Sequence, residues 1–312
     1  MGQALRRGWR ACTFVRRGHG SAKLGSPSFN LLGDTDDVEM QVEAVRRMYP
    51  DAFLGMVGVS AGSGLLISYL GRAGASTPVA AACAICPAWD VSVAFDRLSE
   101  DQPAVSKLML ANIKSTFIKR NERLLREWDT VATDACLAAT SLPELLAAHA
   151  PFAMRERGAS ASDYFAVHNP MEHRTGVSVP TLVLNAEDDF VCSAHNIRPD
   201  LIVRDQPGSL LLVTRSGSHC AYNEGAFGRG SFHTRVSFDF LDGARAAARE
   251  AAAAKAAAAR MELPDTVAED DTLEGVSIKV YGIRLNGRVV SVRPPTVRKP
   301  VVAEQEVVLS SR

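Results

Sequence analysis

Two hydrophobic rhythms alternate along the first 243 residues. Phe53, Leu54, Met56, Val57 and Val59 form a short apolar run suited to a buried parallel strand. Leu65, Leu66, Ile67, Tyr69 and Leu70 then continue at helical spacing until Gly71. Upstream, Asp34 or Thr35 can cap a helix running through Met48, with Val38, Val42 and Val45 on one face and acidic residues in its first turn. Val79 to Cys86, Thr181 to Asn185 and Ser209 to Thr214 read as three further buried strands, and Trp9 to Val15 as another apolar strand. Alternating strands and helices predict an α/β fold, a mostly parallel sheet with helices on both faces.

The long stretch from Asp90 to Val177 carries helical patterning, notably Val105 to Asn121 and Leu142 to His149. It is broken by Gly158-Ala159-Ser160 and Asn169-Pro170. It reads as a helical cap inserted into the sheet domain, and Leu108, Leu110, Phe117 and Phe152 are its candidates for lining an apolar pocket. The expected organisation is a first core segment over 1–90, the cap over 91–176, a second core segment over 177–243 and a tail over 244–312. In that tail, Ala244 to Arg260 is almost all alanine with Arg, Glu and Lys interspersed, a strong intrinsic helix with little to bury. Beyond Pro264, Glu269-Asp270-Asp271 is expected to be disordered. Val276 to Leu285 and Arg288 to Val292 flank Asn286-Gly287 as a hairpin would, with Pro294-Pro295 ending it.

Composition narrows the function classes. At 312 residues and 46% hydrophobic the chain can bury a large core, and its formal net charge of +0 offers no global attraction to nucleic acid or anionic membrane. A small neutral molecule is the expected partner. The six cysteines are scattered without a paired framework, which fits a reducing intracellular compartment. Cys83 and Cys86 sit in an apolar strand with no second ligand pair, so they read as small buried hydrophobes rather than a metal or redox motif. No stretch reaches the roughly 18–20 apolar residues of a membrane helix, and neither a signal h-region nor a myristoylation pattern opens the chain. The chain as given is expected to be soluble.

The chemistry concentrates at Gly58-Val59-Ser60-Ala61-Gly62, a Gly-x-Ser-x-Gly between strand and helix, the pattern of a nucleophile elbow. Ser60 is the candidate nucleophile, and small residues at 58 and 62 are expected to let strand and helix approach without clash. A serine hydroxyl needs a histidine to take its proton and a carboxylate to orient that histidine. The strand from Thr181 runs into Asn185-Ala186-Glu187-Asp188-Asp189, which puts two carboxylates at its C-terminal edge. Asp189 is the preferred acid and Asp188 the alternative, the other serving as a loop cap. The strand from Ser209 runs into Arg215-Ser216-Gly217-Ser218-His219, making His219 the candidate base. His149, His168, His173, His195 and His233 lack such positional support, and His19, in Arg17-Gly18-His19-Gly20, reads as a loop residue near the site.

These residues resemble the AB hydrolase 4 family of the α/β-hydrolase superfamily, which includes abhydrolase-domain proteins acting on lipid esters. The resemblance covers roughly residues 8 to 243. It rests on Gly8-Trp9-Arg10, Phe14 and Arg17-Gly18; on Thr35-Asp36-Asp37-Val38; and on Tyr49-Pro50 ahead of the elbow and Tyr69-Leu70-Gly71 after it. Cys86-Pro87-Ala88-Trp89-Asp90, Asn185-Ala186-Glu187-Asp188-Asp189-Phe190 and Gly217-Ser218-His219 leading to Asn223-Glu224-Gly225 complete it. It implies a triad of Ser60, Asp189 and His219, a backbone oxyanion donor at Ala61, a lipid ester substrate and no cofactor. Where the family has Gly-Gly-His this chain has Gly217-Ser218-His219, a small-for-small change. The family also carries early strands and a His-Gly oxyanion loop ahead of the segment matching Gly8. The expectation is therefore a truncated form without the first strands or the second oxyanion donor, with any membrane association confined to that absent segment. The alternatives are a weakly active or inactive scaffold that binds a lipid or protein, and acyl transfer to an alcohol instead of water.

Overall fold

The structure is a computed structural model describing residues 2–199, 208–261, 282–285 and 288–291. Four strands, β1 (Leu54–Val59), β2 (Val79–Ile85), β3 (Thr181–Ala186) and β4 (Ser209–Thr214), form one sheet in the order 1-2-3-4, with every neighbouring pair parallel. Parallel strands need crossover connections, and helices supply those from β1 to β2 and from β2 to β3. After the short α1 (Gly2–Arg6) come α2 (Thr35–Met48) and α3 (Ala61–Ala73). The Asp34 side chain caps α2 by accepting from the Asp36 N–H at 3.0 Å, with Asp36 and Asp37 in the positive first turn.

Period-two alternation along the central strands sorts side chains onto two faces. Ala82, Ala84 and Val183 pack with Val38 of α2 and Leu66, Ile67 and Leu70 of α3. Ala81, Cys83, Ile85, Leu182 and Leu184 face the other way, toward Leu241 and Phe238. The core strands β2 and β3 are thereby covered on both faces. On β1, Val57 and Val59 stay 43% and 41% exposed, because that strand has a neighbour on one side only among the described residues.

Between β2 and β3 lie α4 (Val91–Asp101), α5 (Pro103–Ile113), α6 (Lys119–Trp128), α7 (Thr130–Ala138), α8 (Leu142–Met154), α9 (Ala161–His168) and α10 (Pro170–His173). Most of these helices share a second core of Leu98, Ile118, Leu125, Leu142, Leu145 and Phe152, into which Leu24 and Phe29 are drawn from the N-terminal loop. The helix expected over Val105 to Asn121 is interrupted by a π-helical turn at Lys114–Ile118. After β4, Asn223–Glu224 (β5) and Gly230–Ser231 (β6) make a small antiparallel pair, followed by α11 (Phe232–Met261). The alanine-rich part of α11 is exposed from Ala246 through Lys255.

Trp9 to Val15 does not form the expected strand. Cys12 to Val15 are exposed and the segment joins no ladder, so it has no strand partner and, beyond Trp9, little to bury. Trp9 is its anchor: the indole N–H donates to Asp242 Oδ1 at 2.9 Å, and the ring meets Phe53 edge-on at 6.0 Å. Gly282–Leu285 (β7) and Arg288–Ser291 (β8) pair antiparallel, Leu285 opposite Arg288, as the Asn-Gly signal predicts. The acidic stretch at 269–271, Asn286-Gly287 and Pro294-Pro295 lie outside the described residues. No helix among the described residues is long and apolar enough to cross a membrane.

Candidate active site

Ser60 sits between the end of β1 and the start of α3 with φ 54° and ψ −125°. A non-glycine residue rarely adopts such a backbone, at a cost of roughly 1–3 kcal/mol, and the surroundings must hold it there. Its own N–H donates to Ile85 O at 2.9 Å, tying the turn to β2, while α3 fixes the other side. The close approach expected of the elbow is one-sided. A Cβ on Gly58 would lie 2.7 Å from Gly62 C and Ser63 Cα and closer still to Gly62 O. A Cβ on Gly62 would meet nothing within 4 Å, so glycine is required at 58 and not at 62.

His219 reaches Ser60 from the loop after β4. Its Nε2 lies 2.7 Å from Ser60 Oγ, and its Nδ1 lies 3.0 Å from both carboxylate oxygens of Asp189. An ionised carboxylate only accepts, which puts the imidazole proton on Nδ1 and leaves Nε2 to accept from the Ser60 hydroxyl. The Asp189 side chain is fully buried, and its Oδ1 also accepts from Val191 N and Cys192 N, both at 2.8 Å. Asp188 is exposed and takes the other part: its Oδ1 accepts from Gly217 N at 2.9 Å and Ser218 N at 2.7 Å, bracing the loop that presents His219. Gly217 has no room for a side chain, since a Cβ there would run into the Tyr222 ring.

Burial works against a charged His219 ring, but the hydrogen bond to Asp189 and the nearby Cys192 outweigh it, so its pKa is raised above the ordinary 6.5. Ala61 opens α3, where its N–H is among those that have no acceptor within the helix. Ser60, Ala61 and His219 together line a cavity of about 770 Å³. Its walls are largely apolar and include Leu98, Met109, Ile113, Phe117, Leu145 and Leu146.

Of the four residues expected to line such a pocket, Phe117 does so. Leu108 is 73% exposed, whereas Leu110 and Phe152 are buried in the helical core. The helical period identifies which positions share a face, not whether that face meets a cavity, solvent or another helix. His19 also lines the cavity, close to Phe117. Two other groups gave no signal in the sequence: Arg16, a cavity residue that donates to Leu31 O at 3.2 Å, and the thiols of Cys86, Cys192 and Cys220 gathered around His219.

No protein-family model matches the chain. Phospholipase ABHD3 of mouse is 28% identical over 225 residues, covering 71% of this chain and 53% of the relative. Human Protein ABHD15 is 30% identical over 224 residues, covering 70% and 46%. Medium-chain fatty acid ethyl ester synthase/esterase 2 of Saccharomyces cerevisiae is 27% identical over 229 residues, covering 66% and 49%. The chain thus spans about half the length of the curated relatives it matches. Among solved structures, the Pyrococcus furiosus esterase Pf2001 aligns with a TM-score of 0.47 at 14% identity, covering 77% of this chain and 72% of its own.

Proposed function

We propose that this chain, an α/β protein similar to the abhydrolase-domain proteins over about 70% of its length, hydrolyses carboxylic esters through Ser60. One observation carries this reading: the unbroken run from Ser60 Oγ through the His219 ring to the buried Asp189 carboxylate, at 2.7 and 3.0 Å. His219 takes the hydroxyl proton as Ser60 attacks the ester carbonyl, and Asp189 holds the ring in the required tautomer and stabilises its charged form. The Ala61 N–H donates to the oxyanion. His219 returns the proton to the leaving alcohol, and water then releases the acid from the acyl-enzyme by the same route.

The substrate we assign is an ester with a medium or long acyl chain. A largely apolar cavity of about 770 Å³ suits such a chain, and the helical segment over 91–176 acts as the cap that supplies nearly half of its lining residues. The lipid-directed names of the ABHD3 and yeast relatives favour the same class. The yeast relative's name also includes ester synthesis, so transfer of the acyl group to an alcohol is the second reading, which product analysis separates from hydrolysis.

The test is covalent labelling by a fluorophosphonate probe. Labelling of the wild type that disappears in both Ser60→Ala and His219→Ala is the expected result. A folded wild type that takes no label would overturn the reading, and would leave a binding scaffold in its place.

A further inference from the structure

Cys83 and Cys86 are three residues apart, yet the fold separates their sulfurs. Cys83 Sγ points behind the sheet and donates to Ser237 O at 3.6 Å. Cys86 follows the last residue of β2 with φ 51° and turns the other way, its Sγ 3.3 Å from the Tyr222 hydroxyl. Cys220, immediately after His219 and with φ 65°, brings a second thiol to the same place. The two sulfurs and a ring nitrogen of His219 all lie within 4.8 Å of one another. Cys192 completes the surround: its Sγ donates to Cys86 O at 3.5 Å and lies within 4.8 Å of the His219 ring and the Asp189 carboxylate. Three chain segments distant in sequence therefore converge their thiols on one imidazole.

Packing explains one buried thiol; two thiols and an imidazole also make the donor set of a soft divalent cation. Zinc binds sulfur at about 2.3 Å and imidazole nitrogen at about 2.0–2.1 Å, so tetrahedral ligands stand roughly 3.5–3.8 Å apart. From separations of at most 4.8 Å, closing on an ion requires movements of about 1 Å. Cys220 is half-buried, and Cys192 and His219 line the open cavity, which gives an ion a route in.

We propose that Cys86, Cys220 and the His219 ring form a binding site for a thiophilic divalent cation of the zinc type, with the fourth position left to water or to Cys192. Two thiols lose their protons to solvent as the two metal–sulfur bonds form. Because both thiols must give up their protons to bind an ion, occupancy rises with pH. Both nitrogens of His219 are committed, Nδ1 to Asp189 and Nε2 to Ser60, so an ion taking either breaks one of those bonds. The consequence rests on the proposed role of His219 as base: the ion and an active Ser60 exclude each other, making the site a reversible inhibitory one.

Cadmium titration of the reduced full chain tests this, in a Cys12→Ser background that removes the exposed thiol. Expected is one ion per chain with an ultraviolet thiolate-to-cadmium charge-transfer band. The band disappears in Cys86→Ser and in Cys220→Ser, persists in Cys83→Ser, and needs at least tenfold more cadmium in His219→Ala. Fluorophosphonate labelling slows at least tenfold at saturation and recovers with EDTA. No band in folded wild type overturns the proposal, as does a band that survives Cys220→Ser, the half-buried and more tolerant of the two positions. Absence of labelling without metal would instead defeat the esterase reading, while the charge-transfer band would still decide the site.

Discussion

Replacing Gly58 with alanine tests the elbow more sharply than replacing its serine, because the structure supplies an internal control four residues away. The added methyl at 58 lies 2.7 Å from Gly62 C and Ser63 Cα, about an ångström inside van der Waals contact, and every atom it meets is backbone. No rotamer change relieves the clash; the start of α3 must move. Overpacking of this kind costs roughly 1–3 kcal/mol. Alanine at 62 meets nothing within 4 Å, has an ordinary backbone to adopt, and gains from a few tenths to about 1 kcal/mol of helix propensity. The two variants should therefore differ by about 1–4 kcal/mol, which is about 3–16 °C in Tm for a domain of this size. Moving α3 also draws Ser60 Oγ from its 2.7 Å contact with His219, so the probe-labelling rate of Gly58→Ala should fall at least tenfold while Gly62→Ala labels as wild type. Equal melting temperatures and equal labelling rates for the two variants would refute the one-sided close approach.

Four further outcomes are expected. In Asp189→Asn the charged form of His219 loses its partner, so the pH at which labelling switches on should fall toward 6.5, and the rate at its plateau should drop by roughly 10⁴. The wild-type profile, in which only the neutral ring acts as base, should rise with pH through a midpoint above 6.5. Asp188→Asn keeps the His219–Asp189 contact but weakens the loop brace, so labelling should slow only modestly; a loss as deep as that of Asp189→Asn would show the two carboxylates to be misassigned. Burial, helped slightly by His168, lowers the pKa of His149 to about 4 despite its hydrogen bond to Leu146 O. Because the unfolded chain takes up this proton first, stability should fall by about tenfold in the unfolding equilibrium per pH unit from 6.5 down toward 4, and His149→Leu should flatten that slope in urea titrations.

The parts legible in the sequence are those governed by local rules. Strand, turn and helix around Ser60 follow from apolar runs and glycine placement, and the acid and histidine loops are marked by the strands that end at them. Between Asp188 and Asp189 the sequence supports only a preference for Asp189, because adjacent residues of a loop point in different directions only once the loop is folded. Trp9 to Val15 has a strand's composition without a strand's partner, and composition cannot count partners. The thiol cluster was invisible for a similar reason: Cys86, Cys192 and Cys220 are 28 or more positions apart and meet only because β2, β3 and β4 are neighbours in the sheet. The one close pair in the sequence, Cys83 and Cys86, reads as two small buried hydrophobes, and the fold parts their sulfurs.

The C-terminal helix has a mechanical meaning. It is clamped at its base, where Asp242 accepts from Arg7 and Trp9 and Arg245 stacks over the Trp9 ring at 4.4 Å. From Arg245 to Met261 it runs another 16 residues, roughly 24 Å at the helical rise. A rod of alanine studded with charges resists bending and offers little for the body to hold. It therefore works as a standoff: Met261 is held roughly 24 Å along the helix from the clamp at Arg245, a distance set by helix length and adjustable by about 1.5 Å per inserted alanine.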